Sequence, residues 1–439
     1  MKIRLLFLLV GALLLVPVFG QFVPVIEWQK NYGGSTYDAV TSLAYTSDGG
    51  CVVAGSSNSA DGDVTNGHGS YDYWIVKADG SGTIEWQRSL GGSSYDIANS
   101  IAQTSDGGYI VAGYTESTDG DVTNNYGGSD YWVVKLNGSG MIEWERSLGG
   151  SGGEIARSIA QTSDGGYVVA GSSNSPDGDV TGSIGGGDFW IVKLDAAGII
   201  EWDRSLGGSA VDAAYSIVQT SDGGYVTAGY TVSTNGDVTT NHGSYDFWVV
   251  KLDANGILEW QRSLGGSSFE RAQTIVQTTD GGYVVAGSTH SMDGDVTYNY
   301  GGDADFWVVK LDGTGTVQWQ STFGGSALET AREVIQSNDG GYIVSGSSYS
   351  ADGLVTNNNG SSDLWILKLD GAGNLEWQRT LGGSGIEAAA SIVLASDGSY
   401  IVAGTAQSSD GDGTNNFGGQ DFWVVKLTND FRVARRTVH

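Results

Sequence analysis

Fourteen tryptophans divide the 439-residue chain into seven copies of one unit. Two series of seven recur at steps of 58 residues, each with one step of 59. A period of this size predicts a solenoid, a propeller or another repeat array. The first series is Trp28, Trp86, Trp144, Trp202, Trp260, Trp319 and Trp377, and the second is Trp74, Trp132, Trp190, Trp248, Trp307, Trp365 and Trp423.

Each copy contains four short runs of the kind that form β-strands. In residues 99–148 these runs are rich in β-branched and aromatic residues, which favour strands. Glycine-rich segments such as 105–108 separate the runs and have the composition of tight turns. The sequence therefore predicts an all-β, seven-bladed β-propeller with four antiparallel strands per blade. The runs of this copy are residues 100–104, 109–114, 130–136 and 141–148.

The two ends of the repeat region complement each other. The last copy ends after its third strand, residues 421–427, and the first copy is preceded by an isolated fourth strand, residues 26–32. Pairing these strands would remove two open sheet edges, which otherwise invite aggregation. We therefore expect the N-terminal strand to close the ring. An open solenoid or stacked β-helix is the alternative, and it gives no reason for the missing strand to lie at the other terminus.

Residues 1–20 have the composition of a signal peptide. Basic residues precede an apolar run, residues 5–19, and small residues follow, as in secretory signals. The run is too short for a membrane span and is interrupted by Pro17. The expected organisation is a signal peptide at 1–20, the propeller at 21–428 and a C-terminal tail at 429–439, in a secreted or cell-surface protein.

The chain is strongly acidic, with a formal net charge of −29. Nucleic acids and other polyanions are therefore poor partners. The few basic residues recur at fixed positions of the repeat, which favours structural pairing over a basic binding stripe. The lysines that end the third strands are Lys77, Lys135, Lys193, Lys251, Lys310, Lys368 and Lys426, and their expected partners are Glu27, Glu85, Glu143, Glu201, Glu259 and Glu376.

The repeated unit resembles a known family. Its segments Leu-Gly-Gly-Ser, Thr-Ser-Asp-Gly-Gly-Tyr-Val-Val-Ala-Gly, Asp-Gly-Asp-Val and Asp-Phe-Trp-Val-Val-Lys-Leu-Asp are similar to secreted bacterial and archaeal β-propeller repeats, called SBBP or delta-60-like repeats. The resemblance implies an extracellular or cell-surface module. Residues 194–202 also resemble the tryptophan-docking repeat of quinoprotein propellers, but one cysteine and seven copies weigh against a quinone site.

The sequence contains no recognisable catalytic constellation. No two of the four histidines lie at metal-ligand spacing, and no Gly-x-Ser-x-Gly elbow has histidine and aspartate partners. The single cysteine, Cys51, permits no intramolecular disulfide and stands where other copies have Tyr, so we expect a packing role. The copies differ only slightly, for example at Asn235 and Leu354, whereas an enzyme site on a propeller normally needs a few divergent blades.

Acidic residues supply the one positional signal for function. One acid precedes the first strand of every copy, and others lie in Asp-Gly-Asp loops between strands two and three. Both positions lie at the same end of a blade, so we expect an anionic face around the channel. These carboxylates are candidates for binding Ca²⁺, or for capping N–H groups of their own turns. The channel-mouth acids are Asp38, Asp96, Glu154, Asp212, Glu270, Glu329 and Glu387, and the loop acids are Asp61, Asp63, Asp119, Asp121, Asp177, Asp179, Asp237, Asp293, Asp295, Asp352, Asp410 and Asp412.

The expected function is non-enzymatic binding or adhesion by a secreted, monomeric propeller, with Ca²⁺ as a supporting ion and a glycan or surface protein as the partner. One alternative is a glycan hydrolase or lyase that uses two acids of the anionic face, and another is a structural spacer. Two acids in one pocket with unequal environments would favour the enzyme, whereas seven equivalent acids favour binding.

Overall fold

The computed structural model describes residues 23–413 and 416–428, and the predicted signal peptide and C-terminal tail lie outside this part of the chain. In the described residues, 28 strands form seven sheets of four antiparallel strands. This confirms the predicted seven-bladed propeller. No helix in the same residues is long and apolar enough to span a bilayer. The strands are β1 Val25–Tyr32, β2 Asp38–Tyr45, β3 Cys51–Ser57, β4 Asp72–Ala78, β5 Ile84–Leu90, β6 Asp96–Gln103, β7 Tyr109–Thr115, β8 Asp130–Leu136, β9 Ile142–Leu148, β10 Glu154–Gln161, β11 Tyr167–Ser173, β12 Asp188–Leu194, β13 Ile200–Leu206, β14 Asp212–Gln219, β15 Tyr225–Thr231, β16 Asp246–Leu252, β17 Leu258–Leu264, β18 Glu270–Gln277, β19 Tyr283–Thr289, β20 Asp305–Leu311, β21 Val317–Phe323, β22 Glu329–Gln336, β23 Tyr342–Ser348, β24 Asp363–Leu369, β25 Leu375–Leu381, β26 Glu387–Leu394, β27 Tyr400–Ala406 and β28 Asp421–Thr428.

The N-terminal strand closes the ring, as the sequence predicts. Blades 1 to 6 each use four consecutive strands, beginning with β2, whereas blade 7 consists of β26, β27, β28 and β1. Strand β1 pairs antiparallel with β28, with Trp28 opposite Lys426 and Tyr32 opposite Phe422. The last blade therefore depends on a strand from the start of the chain for its outer edge.

Neighbouring blades pack through a repeated aromatic core. Trp132 is fully buried, and its ring centroid lies 4.6 Å from that of Tyr73 in the preceding blade. The hydroxyl of Tyr73 donates a hydrogen bond to the Trp132 carbonyl at 2.8 Å. The same arrangement ends with Phe422 against Trp74, at 4.6 Å, so it continues across the closure. Burial of each such side chain stabilises the fold by about 1.5–3 kcal/mol.

The strand-four tryptophans cover the turn between strands three and four of the next blade. Gly140 in one such turn has a φ of +76°, and a Cβ there would meet the Trp86 ring at 2.8 Å. Glycine is thus required both by conformation and by space. The Nε of Arg88 donates to the Gly140 carbonyl at 3.0 Å, which assigns a structural role to the basic residue that follows this Trp.

The propeller has two different faces. The tight turns between strands one and two and between strands three and four lie on one face, called the turn face. The longer connections lie on the other, called the loop face. On the turn face, Lys135 is buried and forms ion pairs of 2.9 Å with both Asp106 and Glu143. The predicted Lys–Glu pairs are confirmed, and an aspartate of the first turn is the additional partner. Lys310 pairs with Asp280 alone because residue 318 is Gln.

Candidate functional site at the channel mouth

A β-bulge turns one residue of every first strand toward the central channel. In blade 2, Ala98 pairs with Gly113 and Ser100 with Ala112, so Asn99 is the extra residue. A Cβ at Gly113 would lie 1.9 Å from the Ile97 carbonyl oxygen, so the bulge requires glycine opposite it. Bulges re-aim side chains next to functional sites. The bulge residues of the seven blades are Thr41, Asn99, Arg157, Tyr215, Gln273, Arg332 and Ala390, and all line a channel cavity of about 600 Å³.

The bulge position is one of the positions where the copies differ most. Six residue types occupy it in seven blades. The second and third strands, by contrast, have almost the same sequence in every blade. The sequence interpretation treated the differences between copies as slight. The structure places one of the most variable positions on the channel wall. A position-by-position comparison of the seven copies would have found this signal, but only the bulge reveals that these residues share one surface.

A ring of hydroxyl groups lies next to the bulge residues. The Oγ of Ser42 accepts a hydrogen bond from the Ile101 N–H at 3.1 Å, which links blades 1 and 2 across the channel wall. Six blades have Ser or Thr at this position, and blade 6 has Glu333. The hydroxyl of Thr274 donates to Glu333 at 3.0 Å. Burial raises the pKa of Glu333 to about 7, so this carboxyl titrates near neutrality.

Three arginines from nearby blades face the same part of the channel. The guanidinium carbon of Arg157 lies 4.4 Å from the ring centroid of Tyr215. That of Arg271 lies 5.8 Å from the same ring and 5.2 Å from the Tyr230 ring. The pKa of Arg332 is lowered by desolvation and by repulsion from Arg271 and Arg157. Three like charges are therefore close enough to influence each other.

An aromatic strip continues from these arginines across the loop face. Successive ring centroids are 6.0 Å apart for Tyr215 and Tyr230, 4.8 Å for Tyr230 and Tyr245, and 5.1 Å for Tyr245 and Phe269. The side chain of Phe269 is 49% exposed. A cavity of about 410 Å³ adjoins the strip, within the size of ordinary ligand pockets, and is lined by Tyr245, Phe269, Arg271, Gln273, His290 and Arg332 among others.

The seven predicted channel-mouth acids lie beneath the loops. Asp96 is fully buried, and its Oδ2 accepts hydrogen bonds from the Gly92 N–H and the Ser117 hydroxyl, both at 2.8 Å. Desolvation raises its pKa. These hydrogen bonds give the carboxylate a structural role in the connection between blades. A direct role of the seven acids in binding stays a prediction. All seven have 0% exposure: Asp38, Asp96, Glu154, Asp212, Glu270, Glu329 and Glu387.

The Asp-Gly-Asp loops lie on the loop face, and their carboxylate oxygens accept hydrogen bonds from backbone N–H groups. Asp119 is exposed and accepts from the Ser93 N–H at 2.7 Å. Asp121 is partly buried and accepts from the Gly91 N–H at 3.2 Å. Within residues 23–413 and 416–428, no group of three or more His, Cys, Asp or Glu side chains forms a metal-holding cluster. Calcium binding by these loops stays a prediction.

A third set of acids was missed by the sequence interpretation. Each third strand begins with a buried Asp, such as Asp72, whose Oδ2 accepts from the His68 N–H at 2.6 Å and whose Oδ1 has no hydrogen-bond partner. Burial raises the pKa of Asp72 to about 6, and the nearby Asp96 raises it further. The sequence did carry a signal for this set, because Asp occupies the same repeat position in all seven copies. The set is Asp72, Asp130, Asp188, Asp246, Asp305, Asp363 and Asp421.

Cys51 lies in the core, and each described histidine lies beside an aspartate of the loop face. Cys51 is fully buried, and desolvation raises the pKa of its thiol to about 12, which accords with a packing role. His242 lies on the loop face with its Nδ1 2.9 Å from the Asp246 carboxylate. His290 is the histidine that lines the cavity beside Phe269.

Comparisons with known proteins show the fold but assign no family. No family model matches the chain. It is 26% identical to the regulatory protein FlaEY of Caulobacter vibrioides, in a match that covers 76% of this chain and 39% of that protein. Among solved structures, the WD40 domain of Neurospora crassa Pan2 superposes with a TM-score of 0.50 at 12% identity, covering 88% of each chain. BBS1N in complex with ARL6DN gives 0.50 at 12% identity, covering 94% of this chain and 98% of that one.

Proposed function

We propose that the chain is a secreted or cell-surface binding module that contacts a glycan or surface protein through the channel mouth on its loop face. The observation that carries this proposal is the variation between blades at the bulge positions, which line the channel. A repeat that served only as a spacer would have no reason to place Arg157, Tyr215 and Arg332 in one channel. The propeller fold itself supports a binding or scaffold module.

Export and ion requirements complete the proposal. The resemblance of the unit to secreted propeller repeats and the signal-like composition of residues 1–20 support an extracellular location. Loop acids such as Asp119 and Asp121 are the candidate Ca²⁺ ligands, since hard cations prefer clustered carboxylate oxygens. The acidic composition disfavours nucleic acid as the partner. A monomer is the proposed state.

A non-enzymatic module fits the channel better than a glycan hydrolase. Glycosidases place two carboxyl groups on either side of the scissile bond. In the channel wall, Glu333 has a pKa raised to about 7 by burial, which suits a general acid. Its first-strand equivalents are Ser or Thr in the other blades, and the seven acids before the first strands are buried in hydrogen bonds. Release of reducing sugar that Glu333→Gln abolishes would favour the hydrolase instead.

The proposal is tested by binding of the mature chain, from Gln21, to a glycan array and to immobilised cell-surface extract, with and without Ca²⁺. The test variant is Phe269→Ala and the matched control is Phe417→Ala. Both phenylalanines are exposed, at 49% and 52%, but only Phe269 lines the mouth cavity. We expect Phe269→Ala to reduce binding strongly and Phe417→Ala to leave it unchanged. Equal binding by wild type and both variants would contradict the proposed surface.

A further inference from the structure

We infer that Arg157, Arg271 and Arg332 form a subsite for one oxyanionic group, and that the ligand is an acidic sugar whose ring lies against the adjoining aromatic strip. This inference rests on the proposed function, because both place the ligand at the channel mouth. It adds the chemical class of the ligand and the residues that select it.

The three arginines differ from the strand-four arginines, such as Arg88, whose guanidinium groups donate hydrogen bonds to backbone carbonyls. No ion pair in the described part of the chain includes them. The Nε of Arg157 is buried without a hydrogen-bond partner. In a chain with 50 acidic and 21 basic residues, three arginines close to one another without an acidic partner leave positive charge available in the channel.

This cluster is unfavourable in the free protein. The buried Nε of Arg157 lacks a hydrogen-bond partner, which destabilises the fold, and three guanidinium groups in one channel repel each other. Glu333 is adjacent in sequence to Arg332, but its hydrogen-bond partner in the channel is Thr274. A bound oxyanion would accept hydrogen bonds from the guanidinium groups and remove their mutual repulsion, as carboxylates and sulfates do at planar arginine forks.

The fold brings these arginines to the channel and its mouth. Arg157 and Arg332 are bulge residues of blades 3 and 6, so the local backbone irregularity sends both into the channel. Arg271 enters from blade 5, two residues before its bulge, and thus lies closer to the loop face. Tyr215 of blade 4 lies between Arg157 and Arg271, with both guanidinium groups near its ring. Cation–π contacts hold the arginines without neutralising them.

The surroundings select a small anion rather than a polyanion. The net charge of −29 repels long anionic chains, so a ligand that reaches the arginines must be neutral over most of its length. The strip formed by Tyr230, Tyr245 and Phe269 offers flat, partly exposed apolar surface next to the charge. The apolar face of a pyranose ring is complementary to such a surface. One acidic group on a sugar ring therefore satisfies both halves of the site.

The direct test is calorimetric titration of the mature chain at low ionic strength with D-glucuronate, D-glucose 6-sulfate, D-glucose, inorganic sulfate and the peptide Gly-Asp-Gly. Each arginine is changed to glutamine in turn, and Arg88→Gln is the matched control, since Arg88 donates to backbone carbonyls on the outer surface. We expect both acidic sugars to bind, D-glucose to bind at least about tenfold more weakly, and each channel variant to weaken acidic-sugar binding by about tenfold, the loss of one charge-assisted hydrogen bond.

Glucuronate binding alone would assign the carboxylate as the natural group, and glucose 6-sulfate binding alone would assign the sulfate ester. Equal binding of inorganic sulfate and the acidic sugars would overturn the role of the ring. Tighter binding of Gly-Asp-Gly than of either sugar would overturn the sugar class. Absence of binding by all anions would overturn the subsite, while loss of array binding in Phe269→Ala would still support the proposed function.

A second measurement separates a binding role from a structural one. Without ligand, Arg332→Gln is expected to keep or raise the melting temperature, because it removes repulsion from Arg157 and Arg271. A structural arginine would behave in the opposite way. A clear fall in melting temperature together with unchanged acidic-sugar binding would overturn the inference.

Discussion

Lys135 and Arg332 illustrate the contrast between the two regions of this propeller. On the turn face, Lys135 is buried between two carboxylates, and five other copies have the same arrangement of Lys with Asp and Glu. In the channel, Arg332 has no ion-pair partner in the described residues and occupies a position that differs between blades. The repeated lysines of the turn face are paired, whereas this varying position of the channel leaves a charge without an acidic partner. We propose that the first region serves stability and the second binding.

The largest effect is expected from removing β1. A shortened chain that starts at Thr36 loses Trp28 and the buried Tyr32 and exposes the edge of β28. Loss of two large aromatic side chains costs about 3–5 kcal/mol each, a large part of a typical folding free energy. Thermal melting and size-exclusion chromatography against the mature chain measure the change. A shortened chain that remains monomeric and melts at the same temperature would show that β1 does not close the ring.

The second prediction concerns pH and the buried aspartates at the start of the third strands. Burial raises the pKa of Asp130 to about 6 and, with Glu329 adding to the effect, that of Asp305 to about 7. A raised folded-state pKa means that these groups stabilise the fold fully below their unfolded pKa and lose that contribution as pH rises through the folded pKa. The turn-face Asp106 has a pKa lowered to about 2. Its ionised form therefore stabilises the fold, and this contribution is lost only in strong acid.

We therefore expect the melting temperature to fall between pH 5 and pH 8, a window set by about one unit on either side of these folded values. Asp305→Asn should flatten part of this dependence, since the amide cannot ionise. Asp312→Asn is the control, because hydrogen bonds from Thr314 and Thr316 lower the pKa of Asp312, so its carboxyl does not titrate in this window. A profile that rises over this window, or one that Asp305→Asn leaves unaltered, would contradict the assignment.

The third prediction compares two turn-face lysines. Lys135→Met removes the shared cation of two carboxylates, Asp106 and Glu143, whereas Lys310→Met removes the cation of Asp280 only. Hydrogen bonds to charged groups contribute about 1.5–3 kcal/mol when buried, and the exposure of these carboxylates reduces that figure. We expect both variants to be destabilised in urea, Lys135→Met more than Lys310→Met. The reverse order would argue against the two-carboxylate arrangement as a source of stability.

The smallest expected effect is that of Ca²⁺ on the loop face. Calcium at about 5–10 mM, above the weak range of extracellular modules, should raise the melting temperature slightly. Asp119→Asn combined with Asp121→Asn should reduce that rise, and Asp79→Asn on the turn face should not. Identical melting curves in EDTA and in calcium would leave turn capping as the role of these acids.

The repeat was sufficient to predict the architecture but not the binding surface. Trp28 and its six equivalents predict the number of blades, and the missing fourth strand predicts the closure, because both depend on period and strand order alone. The bulge at Asn99 could not be predicted from the sequence. Strand alternation places every second residue on the same face, and an extra residue changes which side chains enter the channel. Burial of Asp96 depends on how the loops fold over it, which periodicity does not encode.

We propose that the varying channel positions, rather than the repeated ones, contact the ligand. Carbene footprinting of the mature chain, bound to and free from the glycan surface that it recognises, tests this directly. The account predicts protection of Phe269, Arg271 and Arg332 on binding, with Lys135 and the Asp119–Asp121 loop labelled equally in both states. Protection confined to the repeated Asp-Gly-Asp loops or to the turn face, with the channel mouth labelled as before, would contradict it.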